Sequence, residues 1–355
     1  MIKITAKDLE YKQWLKRRNE RNLKRRTRRK SQEKSKKLSA IAYQDSLKKT
    51  YGDKFKRGGV NFVAPGNFSL IGNPDDTVKY FNRVLKFITD SRNYGQRVFF
   101  DISGIKSLTI DALMYMLSIV SNMKRRFREK FEFSGNFPAN DHVRDLLLES
   151  GFSKYVRHSR TQISQSNKKL EIRSGQAIDR ETAKKICDFT ISEGRVRRVD
   201  TRFLYEILME LMANTCEHAY TDTVLLNCWY VFVESDGTSI KYSFLDTGIG
   251  IPLTVNRRFR EKIDILKITT DSHYIQSALK GEFERSSTKE KKRGKGLPRI
   301  YRFFKENKIQ GMRVLSGRGA YGFESESTAL PSKALRGTLF YWEIDIAQLR
   351  RRSSC

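Results

Sequence analysis

Four short polar or glycine-bearing features follow one another in order through otherwise apolar segments of the carboxyl-terminal half, and they restrict the fold more than any other property of the chain. The first is Glu210-Leu-Met-Ala-Asn214, inside a stretch whose Phe203, Ile207, Leu208 and Leu211 recur at helical spacing. Residues four apart share one helix face, so the carboxylate and the carboxamide project together. Neither group belongs on the apolar side. The second is Asp246-Thr-Gly248-Ile-Gly250-Ile-Pro252, which follows a strand-like run; its glycines permit a tight turn and close approach of backbone to a ligand. The third, Arg293-Gly294-Lys295-Gly296-Leu297, sets backbone amides beside cationic side chains, a combination suited to phosphate oxygens. The fourth, Arg336-Gly337-Thr338, opens the final apolar strand.

The segments between these features read as an α/β sandwich. Helices are expected over 182–189 and 201–220, and strands over 225–234, 239–245, 311–315 and 337–346. Ser235-Asp236-Gly237-Thr238 separates the first two strands and predicts a hairpin, hence antiparallel pairing. A charged, glycine-containing segment at 281–297 interrupts the sandwich.

Taken together and in this order, the features resemble the N, G1, G2 and G3 boxes of the histidine-kinase-like (GHKL) ATPase superfamily, which includes histidine kinases, gyrase-type ATPases and anti-sigma-factor serine kinases. The similarity spans 176–348, and His218-Ala219 after Asn214 is nearest in style to the anti-sigma-factor kinases. The resemblance implies a Bergerat-type α/β sandwich at 176–350, with a mixed sheet and helices on one face, binding ATP and Mg²⁺. Asn214 would hold the metal against the phosphates, in keeping with the preference of Mg²⁺ for few protein oxygens plus water and phosphate. Glu210 would orient or deprotonate the attacking water or hydroxyl. Asp246 would accept a hydrogen bond from the adenine amino group, assisted by Thr338, while Gly248 and Gly250 let the backbone pass close to the nucleotide. Arg293, Gly294, Lys295, Gly296 and Leu297 would close as a lid over the phosphates. The resemblance thus implies an ATP hydrolase or phosphotransferase: a regulatory ATPase, a serine/threonine kinase of the anti-sigma-factor type, or a scaffold that holds ATP without turnover. One departure stands out. Pro298 and Arg299 follow Leu297 where the family often continues with Gly, and Pro298 is expected in the first turn of a helix over 299–304.

Ahead of this half, 76–157 reads as a small α/β unit. Val78, Phe81, Val84, Leu85 and Ile88 predict an amphipathic helix, 97–102 a strand, 110–127 a second helix, 131–133 a strand, and 143–148 a helix stopped by Gly151. The strings Val98-Phe-Phe-Asp101-Ile-Ser-Gly104-Ile and Val143-Arg-Asp-Leu-Leu-Leu-Glu-Ser-Gly151-Phe resemble a STAS domain, the fold of anti-sigma-factor antagonists. That resemblance implies a docking or assembly module fused to its ATPase. The family's phosphorylated serine has no counterpart, because Ile110 or Asp111 holds the position. Ser107 and Thr109 are the nearby hydroxyls, and Asp111 is expected to cap the helix.

The net charge of +30 is concentrated at the amino terminus, where residues 1–60 hold 21 Lys or Arg against 6 Asp or Glu. Residues 1–50 lack Gly and Pro and read as a basic helical arm, densest over 12–37, followed by a linker at 51–75; a second linker is expected at 158–175. Such an arm suits nucleic acid or another polyanion, bound without sequence reading, or an acidic protein partner. It also suits an anionic membrane surface, although no apolar stretch is long enough to span one. The four Cys and four His form no metal-ligand spacing, which predicts neither zinc site nor disulfide framework and suits a reducing, cytoplasmic setting. A dimeric histidine kinase is disfavoured because neither His158 nor His218 sits in a helical hairpin ahead of the ATPase half. A homo-oligomer of another kind remains compatible with the chain.

Overall fold

The computed structural model describes residues 59–126, 130–152, 155, 168–217, 228–259, 263, 265, 268–283, 296–323 and 331–353. The basic arm at 1–50, His218, and Arg293, Gly294 and Lys295 of the expected lid lie outside these residues.

The described chain is a mixed α/β structure in which parallel and antiparallel pairing are segregated. In the amino-terminal unit, β1 (Gly59–Val63), β3 (Arg97–Asp101) and β5 (Glu132–Gly135) form a parallel sheet in the order β1-β3-β5, and the short β2 (Asn67–Phe68) pairs in parallel with β4 (Ser107–Leu108). Helix α1 (Pro74–Thr89) connects β1 to β3. Pro74 starts it, Asp75 and Asp76 complement the positive end of its dipole, and Val78, Phe81, Val84, Leu85 and Ile88 form its buried face. Helix α2 (Ile110–Arg126) follows β4, and α3 (Asp141–Glu149) is capped by the Asn140 side chain, which accepts from Val143 N–H. The expected linker at 51–75 therefore contains the edge strand β1. Its partner is distant in sequence, and its exposed alternate residues leave little apolar signal.

The carboxyl-terminal unit is built on one six-stranded sheet in the order β10-β9-β11-β8-β7-β6, comprising β6 (Lys169–Gly175), β7 (Trp229–Ser235), β8 (Ser239–Asp246), β9 (Gln310–Gly317), β10 (Gly319–Tyr321) and β11 (Leu335–Asp345). Every pairing in it is antiparallel, where a mixed sheet was expected; β7-β8 and β9-β10 are adjacent hairpins, and β11 returns between β8 and β9. Strand β6 falls inside the expected second linker, again as an edge strand paired on one side. One face of the sheet packs on α4 (Arg180–Gly194), α5 (Arg202–Glu217), α6 (Ile251–Arg258), α7 (Asp271–Lys280), α8 (Gly296–Lys305) and α9 (Ile346–Ser353).

The opposite face of this sheet is covered by the amino-terminal unit. Along β7, Trp229, Val231 and Val233 join the core shared with the carboxyl-terminal helices, whereas Tyr230 and Phe232 join Leu245, Leu315 and Leu339 in a second core that contains α1 and α2. Burial on both faces explains the unbroken apolar run of β7, which alternation alone would not produce. It also explains why Ile110, Ala112, Leu113, Met114, Tyr115, Met116, Leu117, Ile119 and Val120 of α2 are all buried: the helix lies between two layers. Polar contacts tie the units along 331–336. Ser332 N–H donates to Asp75 Oδ1 (2.8 Å), Asn82 Nδ2 donates to the Ala334 carbonyl (3.1 Å), and Arg336 N–H donates to the Tyr115 hydroxyl (3.2 Å).

Candidate functional site

Strands β8 and β11 place Asp246 and Thr338 opposite each other in register, at the sheet end where α5 crosses. The chain leaves β8 at Asp246 and turns through Gly248, whose N–H donates to Asp246 Oδ1 (2.8 Å). It then reaches Gly250 at φ 85°, a conformation that favours glycine, and enters α6. A side chain at Gly250 would stand 2.7 Å from Ser316 Oγ. Gly337, at φ 96°, passes so close to the Asp246 carbonyl that any Cβ would overlap it. Two of the glycines in the motifs thus exist because two backbones meet beneath Asp246.

The resulting cavity, about 90 Å³ and open to solvent, is lined by Asn214, Thr215, Asp246, Gly248, Gly250, Thr254, Leu297 and Thr338 together with apolar side chains. Leu211, Phe244, Ile249, Ile251, Val255 and Phe340 supply most of that apolar wall. A cavity of this kind, largely apolar with a few convergent polar groups, suits a flat heterocycle held by directed hydrogen bonds. Burial pushes the Asp246 carboxyl up to about 6, against the opposing effects of the Gly248 N–H and the Thr338 hydroxyl. The Asn214 side chain, which lines this cavity, makes no hydrogen bond to a described residue.

Glu210 lies one turn before Asn214 on α5 and faces α8 rather than the cavity wall. Its Oε1 accepts from Arg299 Nη1 (3.2 Å), and Glu206 Oε2 lies 3.9 Å from the same nitrogen. Gly296 packs directly on the Glu210 carboxylate, where a Cβ would come within 2.5 Å of Oε2. Pro298 sits in the first turn of α8, a position that tolerates a missing N–H. The helix runs from Gly296 to Lys305 and so begins earlier than the expected 299–304.

The cavity thus gathers Asn214, Asp246, Gly248, Gly250, Leu297 and Thr338, with Glu210 and Gly296 in contact beside it. Sequence reasoning missed Ser316 and Thr254. Ser316 Oγ accepts from Ile251 N–H (2.9 Å), donates to the Gly337 carbonyl (2.9 Å) and lies 3.1 Å from Thr338 Oγ1, joining β9, β11 and the start of α6. Its one sequence signal is a hydroxyl directly after Val314 and Leu315. Thr254 Oγ1 donates to the Gly250 carbonyl (2.8 Å) and so fixes the glycine turn.

No family model matches the chain, and a search of curated proteins finds no match. Among the described residues, no group of three or more His, Cys, Asp or Glu converges to hold a metal, and no helix is long and apolar enough to cross a membrane.

In the amino-terminal unit, Ile110 and Asp111 are 5 % and 1 % exposed. The Leu70 N–H donates to Asp111 Oδ2 (2.7 Å), so Asp111 fastens the loop after β2 to the start of α2, and burial raises its pKa. Neither residue is placed to meet a second active site, whereas Ser107 is exposed.

Proposed function

We propose that the carboxyl-terminal unit is a GHKL-type module with a Bergerat-like site for Mg-ATP, and that the chain is a regulatory ATPase in which nucleotide state controls engagement of a partner. The observation that carries this reading is the meeting, in one cavity, of Asn214, Asp246, Gly248, Gly250, Leu297 and Thr338 from separate segments of the chain. Asp246 accepts from the adenine amino group and Thr338 supports it. The Asn214 carboxamide oxygen would hold Mg²⁺, with water and phosphate oxygens completing its ligands, and the ion would supply charge neutralisation at the phosphates. Glu210 orients and deprotonates the attacking water, and Arg299 holds its carboxylate beside the cavity. In the amino-terminal unit we propose a STAS-like module that reads nucleotide state through 331–338, because this one segment carries Thr338 of the cavity and the contacts to Asp75, Asn82 and Tyr115.

Thermal unfolding in saturating Mg-ATP and Mg-GTP tests the reading. A ligand at a hundred times its Kd stabilises the folded state by about 2.7 kcal/mol, a rise of several degrees in Tm. Mg-ATP is expected to produce that rise and Mg-GTP is not, since the guanine carbonyl would face the Asp246 carboxylate. Equal shifts with both nucleotides, or none with either, would contradict it.

A further inference from the structure

Two open clefts lie side by side across the junction of the units, and their rims form one basic band. The first is lined by Arg83 and Lys86 of α1 and by Lys333. The second is lined by Arg257, Arg318 and Arg336, against the outer side of Gly248 and Ile249. Asn82 lines both, and Lys333 and Ala334 carry the wall of one into the other. Arg83, Lys86, Lys333, Arg318 and Arg336 are all exposed, and none of these five is ion-paired to a described residue. The acids along the band already have partners: Asp75 pairs with Lys79 (2.5 Å), Asp76 lies 3.7 Å from the same Lys79, and Asp271 Oδ2 accepts from the backbone N–H of Arg318 (2.8 Å).

We propose that this band is a docking surface for the phosphate backbone of a nucleic acid. Several features favour a long polyanion over a small anion. The cations follow one another across both units instead of converging on a point, and they stay exposed, whereas a small phosphate ligand would be enclosed by its arginines. Charge outside the arm supports the same partner. Residues 61–355 hold 70 − 21 = 49 Lys or Arg against 40 − 6 = 34 Asp or Glu, so half of the net +30 lies outside the first 60 residues. Tyr80 and Tyr274, the aromatic residues of the clefts, are buried and offer no face on which bases stack. Contact is therefore with phosphates, independent of sequence, and a duplex suffices. This inference does not depend on ATP binding in the neighbouring cavity.

The test is fluorescence anisotropy of labelled duplexes of two unrelated sequences with the full chain, titrated over a range of salt. The band variant Arg83→Glu/Lys333→Glu/Arg336→Glu is compared with a variant of equal charge change elsewhere, Arg180→Glu/Lys184→Glu/Lys280→Glu. Wild type is expected to bind both duplexes equally. The band variant is expected to lose at least about tenfold in affinity and two to three units of the slope of log K against log salt, at roughly 0.9 per phosphate contact, while the control stays near wild type. Equal behaviour of the two variants, or no duplex binding by wild type, would overturn the proposal. So would band-dependent binding to phosphatidylserine vesicles that exceeds duplex binding, which would assign the surface to a membrane.

Discussion

Asp246→Asn is expected to melt at a higher temperature than wild type at neutral pH and to lose ATP affinity on the order of 100-fold. The two effects share one cause. Burial raises the Asp246 carboxyl to about 6 from an ordinary 3.8, so the charged form costs stability in the folded chain. The native state keeps the extra proton between those values. The associated stability is complete below pH 3.8 and is lost as pH rises through about 6, leaving a cost of up to about 3 kcal/mol at pH 7. Asparagine removes that cost. The Gly248 N–H, 2.8 Å from Oδ1, would hold the amide oxygen and turn the NH₂ towards the ligand, where it meets the adenine amino group donor to donor. Wild-type ATP affinity is accordingly expected to fall as pH drops below about 6, because the protonated carboxyl accepts less well. Paired melting curves and binding isotherms at pH 5 and pH 7.5 check both effects. A variant that is no more stable and binds normally would contradict the role of Asp246.

Glu210→Gln separates chemistry from binding. A positioned general base contributes about 10²–10⁴ in rate, so turnover of ATP is expected to fall by at least about 100-fold. Affinity should change by less than about threefold, since Glu210 stands beside the cavity and contacts Gly296 and Arg299. Glutamine is nearly isosteric and keeps an oxygen for Arg299, so loss of the packing between α5 and α8 is not the expected result. Single-turnover hydrolysis alongside nucleotide titration reads both quantities. Unchanged turnover in the variant would remove Glu210 from the chemistry and favour ATP as a purely structural ligand.

Much of this arrangement is legible in the sequence where local pattern and tertiary role agree. Helices α1 and α2, hairpin β7-β8 and strands β9 and β11 follow from apolar spacing and turn residues, because each element buries a face of its own. Strands β1 and β6 read as linkers because both are edge strands, partnered on one side and largely uncovered. Helices α6 and α7 were not expected either. They are short, eight and ten residues, and their starts depend on Gly250 and on the Thr270 side chain, which accepts from His273 N–H. The all-antiparallel sheet depends on where β11 inserts, between β8 and β9, and no local signal specifies that choice.

In the candidate site, residue types that are rare in apolar segments were readable: Asn214, Asp246 and the glycines. Ser316 and Thr254 were not, because a hydroxyl is unremarkable in sequence and acquires its role only when β9 and α6 are brought against β11. The covering of the sheet's second face by α1 and α2 was likewise invisible. What can be read is that α2 is apolar on every side, and the layer that buries its far side comes from the other half of the chain.

Calorimetric titration of Mg-ATP into wild type and Asn214→Ala tests the central proposal most directly. Wild type is expected to bind one nucleotide per chain in a Mg²⁺-dependent manner, and Asn214→Ala, with its fold intact by circular dichroism, to lose that dependence and most of the affinity. Absence of binding by wild type, or identical Mg²⁺-dependent isotherms for the two proteins, would contradict it.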